Sequence, residues 1–245
     1  MTDETIELRP LADLIDNKDP AWPMVQEWIA DAKNKVEILP AELKDREENL
    51  HALQITTKSI LGALVYETGG LIIDSGWLRI LGSGSGDRQP RSITSWNREV
   101  HNMSIYEMPF HLVADDITGG FFACDAGALG NKGGVFYFAP DTLQWEDLDV
   151  RYPDFVHWCM NSDLDTFYQG LRWEGWQQEV SDLRGDRGML YLPFPFAKPV
   201  LKEQSKQETE HKPVPMIELY EIYVNDFSVQ LAKMADGQVF EIRTE

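Results

Sequence analysis

The sequence contains few of the residues that usually build metal sites and disulfide scaffolds. Among 245 residues there are two cysteines, Cys124 and Cys159, and five histidines. The cysteines lie far apart among apolar neighbours, where a thiol usually packs as a small hydrophobic group. The histidines show neither H-x-x-x-H nor H-E-x-x-H spacing, so a zinc site and disulfide cross-links are both disfavoured. We therefore expect no bound metal ion and no cofactor.

Long apolar runs and positive charge are also scarce. No stretch approaches the roughly 20 apolar residues of a membrane span, and residues 1–10 lack the apolar core of a secretory signal. Lys and Arg total 22 against 41 Asp and Glu, for a net charge of −19. Such a surface repels nucleic acid, keeps a protein soluble and, if there is a partner, favours a basic protein. We expect a soluble cytoplasmic protein, with its oligomeric state open.

Apolar, aromatic-rich runs separated by turn residues dominate the centre of the chain, residues 110–158. Two such runs flank Gly119-Gly120, and a third follows the glycine-rich segment 127–134. This pattern predicts consecutive antiparallel strands joined by tight turns. The acidic segment 141–149 then predicts a loop, and Pro153 predicts the first turn of a helix.

The flanking regions predict helices around this sheet. Asp19-Pro20 is typical of a helix start, and the charged segment 42–53 predicts a surface helix. The run 61–66 predicts a strand that turns at Gly69-Gly70 into a second strand. The segment GSGSG, at 82–86, predicts the start of a polar loop that lasts to about Met108. Farther on, 189–196 predicts an edge strand and 215–234 a helix.

Together these patterns predict an α+β fold, an antiparallel sheet with packed helices. We expect a core domain over residues 1–197. The segment 198–212 is rich in Lys, Glu and Gln and predicts a mobile linker. Residues 213–245 then predict a C-terminal helical appendage.

Two sets of residues are candidates for function. The first is the turn with Asp115, Asp116, Gly119 and Gly120, where adjacent carboxylates are more typical of turn formation than of cation binding. The alternative is a hydrolase, or another small-molecule enzyme, that uses Asp115, Asp116 and Glu67 around a divalent cation. Neither glycine-rich segment has the spacing of a phosphate-binding loop.

The second set is the acidic segment after the third strand of the centre. Here an aromatic residue within a charged rim is typical of a protein contact. The other interpretation is that the tryptophan packs inward and the carboxylates only face solvent. The candidate contact residues are Asp141, Trp145, Glu146, Asp147 and Asp149.

Several runs resemble an uncharacterised bacterial family that is catalogued as a domain of unknown function. The resemblance covers about residues 11–197 and implies no activity. The runs that carry it are DPAWP at 19–23, ETGG at 67–70, GWLRILGSG at 76–84, ADD and GGFF within 114–122, YFAPDTL with WE within 137–146, and FY with LRW within 167–173.

The centre of the chain, about residues 110–160, is also similar to the SUKH superfamily. The shared order is a strand ending in acidic residues, a Gly-Gly hairpin into an aromatic strand, another strand, a loop and a helix. Here the helix would begin at YPDFV, residues 152–156. The resemblance implies an α+β fold without catalysis, often serving as an immunity protein that binds and neutralises a toxin. We therefore expect a non-enzymatic protein-binding module, with a basic partner such as a toxin.

Overall fold

Strands that follow one another along the chain form a single antiparallel sheet. The computed structural model describes residues 7–197 and 210–234. Within them, seven strands pair in sequence order, from β1 at one edge to β7 at the other. A second sheet pairs β8 with β9. The strands are β1 (Val36–Leu39), β2 (Gly70–Ile73), β3 (Leu78–Leu81), β4 (Phe110–Asp116), β5 (Phe121–Asp125), β6 (Gly134–Ala139), β7 (Gln144–Arg151), β8 (Arg187–Leu192) and β9 (Glu210–Pro215).

Helices cover both faces of the large sheet. Phe121 and Phe122 are neighbours in β5, so their side chains point to opposite faces. Phe121 contacts Trp96 and Tyr220, whereas Phe122 contacts Phe155. The first two partners lie on α5 and α9, and the third on α6. The helices are α1 (Leu11–Leu14), α2 (Trp22–Ala30), α3 (Leu43–Leu53), α4 (Ile60–Glu67), α5 (Ile93–His101), α6 (Tyr152–Asn161), α7 (Leu164–Phe167), α8 (Trp176–Ser181), α9 (Met216–Tyr220) and α10 (Ser228–Ala232), with a π-helical stretch, Glu221–Phe227, between the last two.

The predicted α+β class, with an antiparallel sheet and packed helices, is confirmed. Gly119-Gly120 joins the paired strands β4 and β5, and Pro153 lies in the first turn of α6. Both signals are local, because a turn and a helix start depend on a few adjacent residues. In the described part of the chain, the helices are all too short or too polar to cross a membrane.

The strand predicted over residues 61–66 is wrong, because this segment belongs to α4. Ser59 caps the helix by accepting a hydrogen bond from the backbone N–H of Gly62. Most of the helix is buried, including Ala63, Leu64 and Val65, which are consecutive. A helix that is apolar on all sides has no 3.6-residue period, so its sequence is indistinguishable from that of a buried strand.

Two predicted loops are also wrong. The segment from 82 to about Met108 contains α5, whose start is marked by a capping box in which Ser92 and Ser95 exchange hydrogen bonds. Residues 144–149 of the acidic segment 141–149 lie in β7, which is an edge strand of the large sheet. Its many charged side chains obscure the alternation that marks a strand, since an edge strand carries charge without burying it.

The C-terminal region packs against the same core as the large sheet. Met216, Leu219 and Tyr223 are buried in one hydrophobic cluster with Ile117 and Phe121. Residues 210–212 of the predicted linker belong to β9, while 198–209 lie outside the described residues. The division into a core domain, a linker and an appendage stays a prediction.

Candidate functional site

The adjacent carboxylates at the end of β4 point to opposite faces of the sheet. Successive side chains of a strand alternate between faces, which separates Asp115 from Asp116 although they are neighbours in sequence. Asp115 lies on the α5 side, where it meets Arg91, and that guanidinium stacks on Trp96. Asp116 lies on the α6 side, beside Tyr137. Two carboxylates placed in this way do not converge on one cation.

Asp115 holds two buried arginines. Its Oδ1 accepts a hydrogen bond of 2.8 Å from Arg79 Nε, and its Oδ2 lies 2.8 Å from Arg91 Nη2. All three side chains are buried. Burial lowers the pKa of the Arg91 guanidinium, and the nearby Asp115 carboxylate opposes that shift. One carboxylate therefore compensates two buried cations, an arrangement that is stable only while all partners are present.

The same arginines form hydrogen bonds that hold residues 185–187, at the start of β8, against the large sheet. Arg79 Nη1 donates a 2.6 Å hydrogen bond to the carbonyl of Arg187, and Arg91 Nε donates a 2.9 Å bond to the carbonyl of Gly185. Charged donors to backbone carbonyls form strong hydrogen bonds. The cluster of Arg79, Arg91 and Asp115 thus has a structural role, joining parts of the chain that are far apart in sequence.

Asp116 organises the turn between β4 and β5. Its Oδ1 accepts from the backbone N–H groups of Thr118 (2.9 Å) and Gly120 (3.0 Å) and from the Thr118 hydroxyl (2.6 Å). Its Oδ2 accepts from the Tyr137 hydroxyl at 2.9 Å. Burial raises the pKa of the Asp116 carboxyl, and these hydrogen bonds oppose the increase. The turn-forming interpretation is the one that this geometry supports.

The third residue of the alternative cation site has a different partner. Glu67, at the end of α4, lies 3.9 Å from Arg46 of α3. Across the residues that the structure describes, no three or more His, Cys, Asp or Glu side chains are arranged to hold a metal ion. The geometry therefore gives the proposed cation chemistry no assembled ligand set.

We expect saturating magnesium, calcium or manganese to leave the melting temperature nearly unchanged. Only a ligand that binds the native state more tightly than the unfolded chain stabilises a protein. Thermal unfolding followed by circular dichroism, with and without each cation, measures this directly. A clear rise that disappears in the Glu67→Gln variant would support the cation enzyme, because Glu67 is only partly buried and its replacement should leave the fold intact.

The glycine-rich segment after β5 wraps around a side chain of the protein itself. Asp125 Oδ1 accepts from the backbone N–H groups of Gly127, Ala128 and Leu129 at 2.7–3.0 Å, and its Oδ2 accepts from that of Asn131. Backbone N–H groups that converge in this way are what a phosphate group would need. Because Asp125 already occupies them, this segment offers no phosphate site.

The glycines of GSGSG allow two chain segments to come close together. A Cβ at Gly82 would lie 2.5 Å from the Thr68 carbonyl oxygen, and one at Gly69 would lie 2.4 Å from the Gly84 carbonyl oxygen. The N-terminus of α5 follows this segment, but its first N–H groups are already satisfied. Those of Ile93, Thr94 and Ser95 donate to Gly82 O, Asn49 Oδ1 and Ser92 Oγ. A phosphate has no free donor there.

The acidic segment forms an exposed edge of the sheet. We define the acidic edge as Asp141, Glu146, Asp147 and Asp149, all of which are exposed. The Asn131 side chain donates to Asp147 Oδ2 at 2.9 Å, and the Thr142 hydroxyl donates to Glu146 Oε1 at 2.9 Å. These neutral donors orient the carboxylates without neutralising them.

Trp145 lies beside the acidic edge but packs largely inward. Its ring centroid is 4.9 Å from that of Phe110 and 5.3 Å from that of Phe138. The side chain is half-buried, so its indole stabilises the end of the sheet while part of it stays accessible. Its role as a partner contact stays a prediction.

No pattern in the sequence predicted that Arg79, Arg91 or Tyr137 would be a partner of Asp115 or Asp116. An arginine in the middle of the apolar run LRIL is the one available signal, since a buried strand rarely carries an unpaired charge. Its partner, Asp115, is distant in sequence, and nothing local connects the two residues.

Comparison with known proteins gives a family but no activity. The family model described as "Protein of unknown function DUF2625" matches residues 11–219. The uncharacterized protein YbfG of Escherichia coli K12 is 42% identical over 216 residues, covering 88% of this chain and 95% of that protein. An uncharacterized protein of Haemophilus influenzae is 38% identical over 205 residues, covering 82% and 90%. No solved structure matches the chain, so the SUKH likeness stays a prediction.

These matches extend over nearly all of the two relatives, and the family model spans most of the chain. They confirm the resemblance to an uncharacterised bacterial family. This chain belongs to the DUF2625 family of proteins of unknown function.

Proposed function

We propose that this protein is a non-catalytic, cytoplasmic protein-binding module whose acidic edge docks a basic protein partner. The observation that carries the proposal is that the four exposed carboxylates form no ion pair within the described residues. None of Asp141, Glu146, Asp147 and Asp149 pairs with a Lys or Arg side chain within residues 7–197 and 210–234. Within those residues no cation offsets their charge, and this supports a role in binding another molecule.

The charge of the whole protein supports the same interpretation. With a net charge of −19, the chain attracts basic proteins over a distance of about one Debye length, roughly 10 Å at 0.1 M salt. Complementary charge accelerates encounter and suppresses unsuitable partners more than it adds affinity. We expect association to be fast and strongly dependent on salt.

The backbone of β7 favours contact through side chains rather than strand addition. Phe136 and Gly134 of β6, two residues apart, pair with Asp147 and Arg151 of β7, four residues apart. The extra residues form a bulge, with Asp149 at φ 53°. A bulge bends an edge strand, and exposed charges discourage another strand from pairing there. A partner would therefore meet the carboxylates before it met the backbone.

The cation-dependent enzyme is the weaker alternative on this geometry. Asp115 and Asp116 are fully buried and engaged by arginine, tyrosine and backbone donors. An immunity-type role, in which the module covers the surface of a basic toxin, is consistent with the acidic edge and with the SUKH resemblance. Such a role needs no catalytic residue.

The test is capture of a partner from the native cytoplasm at low salt. The test variant combines Glu146→Gln, Asp147→Asn and Asp149→Asn, which keep the side-chain sizes and leave Trp145 in place. We expect the unmodified protein to capture a basic protein, and the variant to bind that protein at least about five-fold more weakly, as loss of several ion pairs implies.

A control variant with the same change in net charge distinguishes the effect of the acidic edge from the effect of the total charge. The control variant neutralises three exposed carboxylates elsewhere, Glu99→Gln, Glu174→Gln and Asp182→Asn, and should capture the partner as the unmodified protein does. Equal capture by the test variant would show that the acidic edge is not the contact. Failure of the unmodified protein to capture anything at low salt would contradict the module itself. If the partner arrests growth when expressed alone, co-expression with this protein should restore growth.

A further inference from the structure

Two aromatic side chains are accessible to solvent on the face of the large sheet that α6 covers. We define the aromatic patch as Trp158 of α6 and Phe167 of α7, whose ring centroids are 4.9 Å apart in an edge-to-face contact. Phe167 is 38% exposed, and Trp158 is half-buried. Aromatic side chains are favoured anchors of protein contacts, because each one buries a large, rigid apolar surface.

The aromatic patch rests on buried side chains. Trp158 stacks on Phe155 at a centroid distance of 6.2 Å, and Phe155 in turn contacts Phe122 of β5 at 4.8 Å. The Phe167 ring lies 5.4 Å from the ring of Tyr137 in β6. Both rings of the patch are therefore positioned by the fold. A surface that is ordered before binding loses less conformational entropy when a partner arrives.

The aromatic patch adjoins the acidic edge through Tyr137. In the register of β6 and β7, Tyr137 lies directly opposite Glu146, one of the acidic-edge carboxylates. Residues that are opposite each other in an antiparallel pair lie on the same face, with Cβ atoms about 4.5–5.5 Å apart. Glu146 and Phe167 are therefore both neighbours of one tyrosine on one face of the sheet.

A second carboxylate lies beside the other member of the patch. Asp154 and Trp158 are four residues apart on α6, so they are neighbours on the helix surface. Asp154 is exposed, and within the described residues neither it nor Glu146 forms an ion pair. Carboxylates from two different elements thus flank the aromatic patch. Their charge favours a basic partner and disfavours an acidic protein or a nucleic acid.

We propose that the aromatic patch receives an apolar side chain of the partner, while lysines or arginines beside that side chain meet Glu146 and Asp154. This inference rests on the proposed function, because it names what the basic partner must present in addition to charge. Protein interfaces combine apolar anchors with a charged rim, in which the anchors supply most of the affinity and the rim supplies rate and selectivity. A surface with charge alone would use only the acidic edge.

Isothermal titration calorimetry at low salt with two basic octapeptides tests this proposal. Both peptides are acetylated and amidated and carry six lysines, but the third and sixth positions are leucine in one peptide and serine in the other. We expect the unmodified protein to bind the leucine peptide about five-fold more tightly, as partial burial of a leucine side chain implies. Equal affinity for the two peptides would overturn the inference.

Nuclear magnetic resonance locates the contact in the unmodified protein. The indole N–H resonance of Trp158, assigned by its absence in Trp158→Phe, should shift when the leucine peptide is added and should shift much less with the serine peptide. A resonance that responds equally to both peptides would show that the leucine side chain does not reach the aromatic patch. This measurement does not depend on the folding of a patch variant.

Variants separate the aromatic patch from the acidic edge. Phe167→Ser should remove the preference for the leucine peptide and leave binding of the serine peptide unchanged. The matched control, Leu43→Ser, removes an apolar side chain that is 58% exposed on α3, and it should keep the preference. The triple acidic-edge variant should weaken both peptides to a similar extent. A preference that survives in Phe167→Ser would mean that the apolar contact lies elsewhere and that the inference is wrong.

The outcomes distinguish this inference from the proposed function. If both peptides bind equally well and both lose affinity in the acidic-edge variant, the edge binds basic segments and the aromatic patch takes no part. If the leucine preference is present but the acidic-edge variant changes nothing, the patch binds apolar groups and the proposed role of the edge is wrong. If neither peptide binds the unmodified protein, both proposals are contradicted.

Discussion

Asp115→Asn is expected to lower the free energy of unfolding by about 3–5 kcal/mol, the usual effect of removing one partner from a buried ion pair. The substitution keeps the shape of the side chain but replaces one carboxylate oxygen with a donor. That donor would face the guanidinium of either Arg79 or Arg91, each within 2.8 Å of Asp115. Two buried cations would then lack a counter-charge. Urea unfolding followed by tryptophan fluorescence measures the change.

An exposed pair provides the comparison for this variant. Glu48→Gln removes a contact of 3.7 Å to Lys44 in which both side chains are mostly exposed. Such pairs contribute at most about 1 kcal/mol, and this one should have almost no effect. If Asp115→Asn were as mild as Glu48→Gln, the arginine cluster would not be what fastens residues 184–187 to the sheet.

Gly120→Val is expected to destabilise the protein by about 3–5 kcal/mol. A Cβ at Gly120 would lie 2.1 Å from Asp116 Oδ2 and 2.4 Å from the Tyr137 hydroxyl oxygen. To make room, the hydrogen bond between these two side chains must break in a fully buried position. Overpacking typically costs about 1–3 kcal/mol, and an unsatisfied buried polar group costs a similar amount. The midpoint of urea unfolding should fall accordingly.

A pair of alanine substitutions separates steric contact from backbone strain. Gly120→Ala adds one methyl group beside Asp116, whereas Gly130→Ala adds one in open space at φ 105°. The second change should cost about 1 kcal/mol, because its only penalty is the backbone conformation. Finding Gly120→Ala no worse than Gly130→Ala would mean that the turn adapts and that the close contact at Gly120 is unimportant.

The Asp115→Asn and Gly120→Val variants test the fold, whereas the acidic-edge variant tests binding. Neither Asp115 nor Gly120 lies on a surface that a partner could reach. Loss of partner capture in the acidic-edge variant would therefore have to come from the edge itself, once unchanged unfolding shows that the sheet is intact.

Local signals in the sequence determined a large part of this architecture. The Gly119-Gly120 turn, the aromatic strands on either side of it and the proline in the first turn of α6 depend on adjacent residues. Together they predict an antiparallel sheet with packed helices. The sequence of α4 lacks a helical periodicity, because the helix is buried on nearly every side and its apolar residues are consecutive. The sequence of β7 lacks the alternation of apolar and polar residues that marks a strand, because this edge strand is mostly exposed and carries many charged side chains.

Only the tertiary structure decided what the candidate residues do. The sequence placed Asp115 and Asp116 side by side, and the sheet directs them to opposite faces, one toward two arginines and one into a turn. The contact between α3 and α5 includes a hydrogen bond from Thr94 to Asn49, two residues that are far apart in sequence. Pairings of this kind are set by how whole elements pack, which the order of residues within a segment does not reveal.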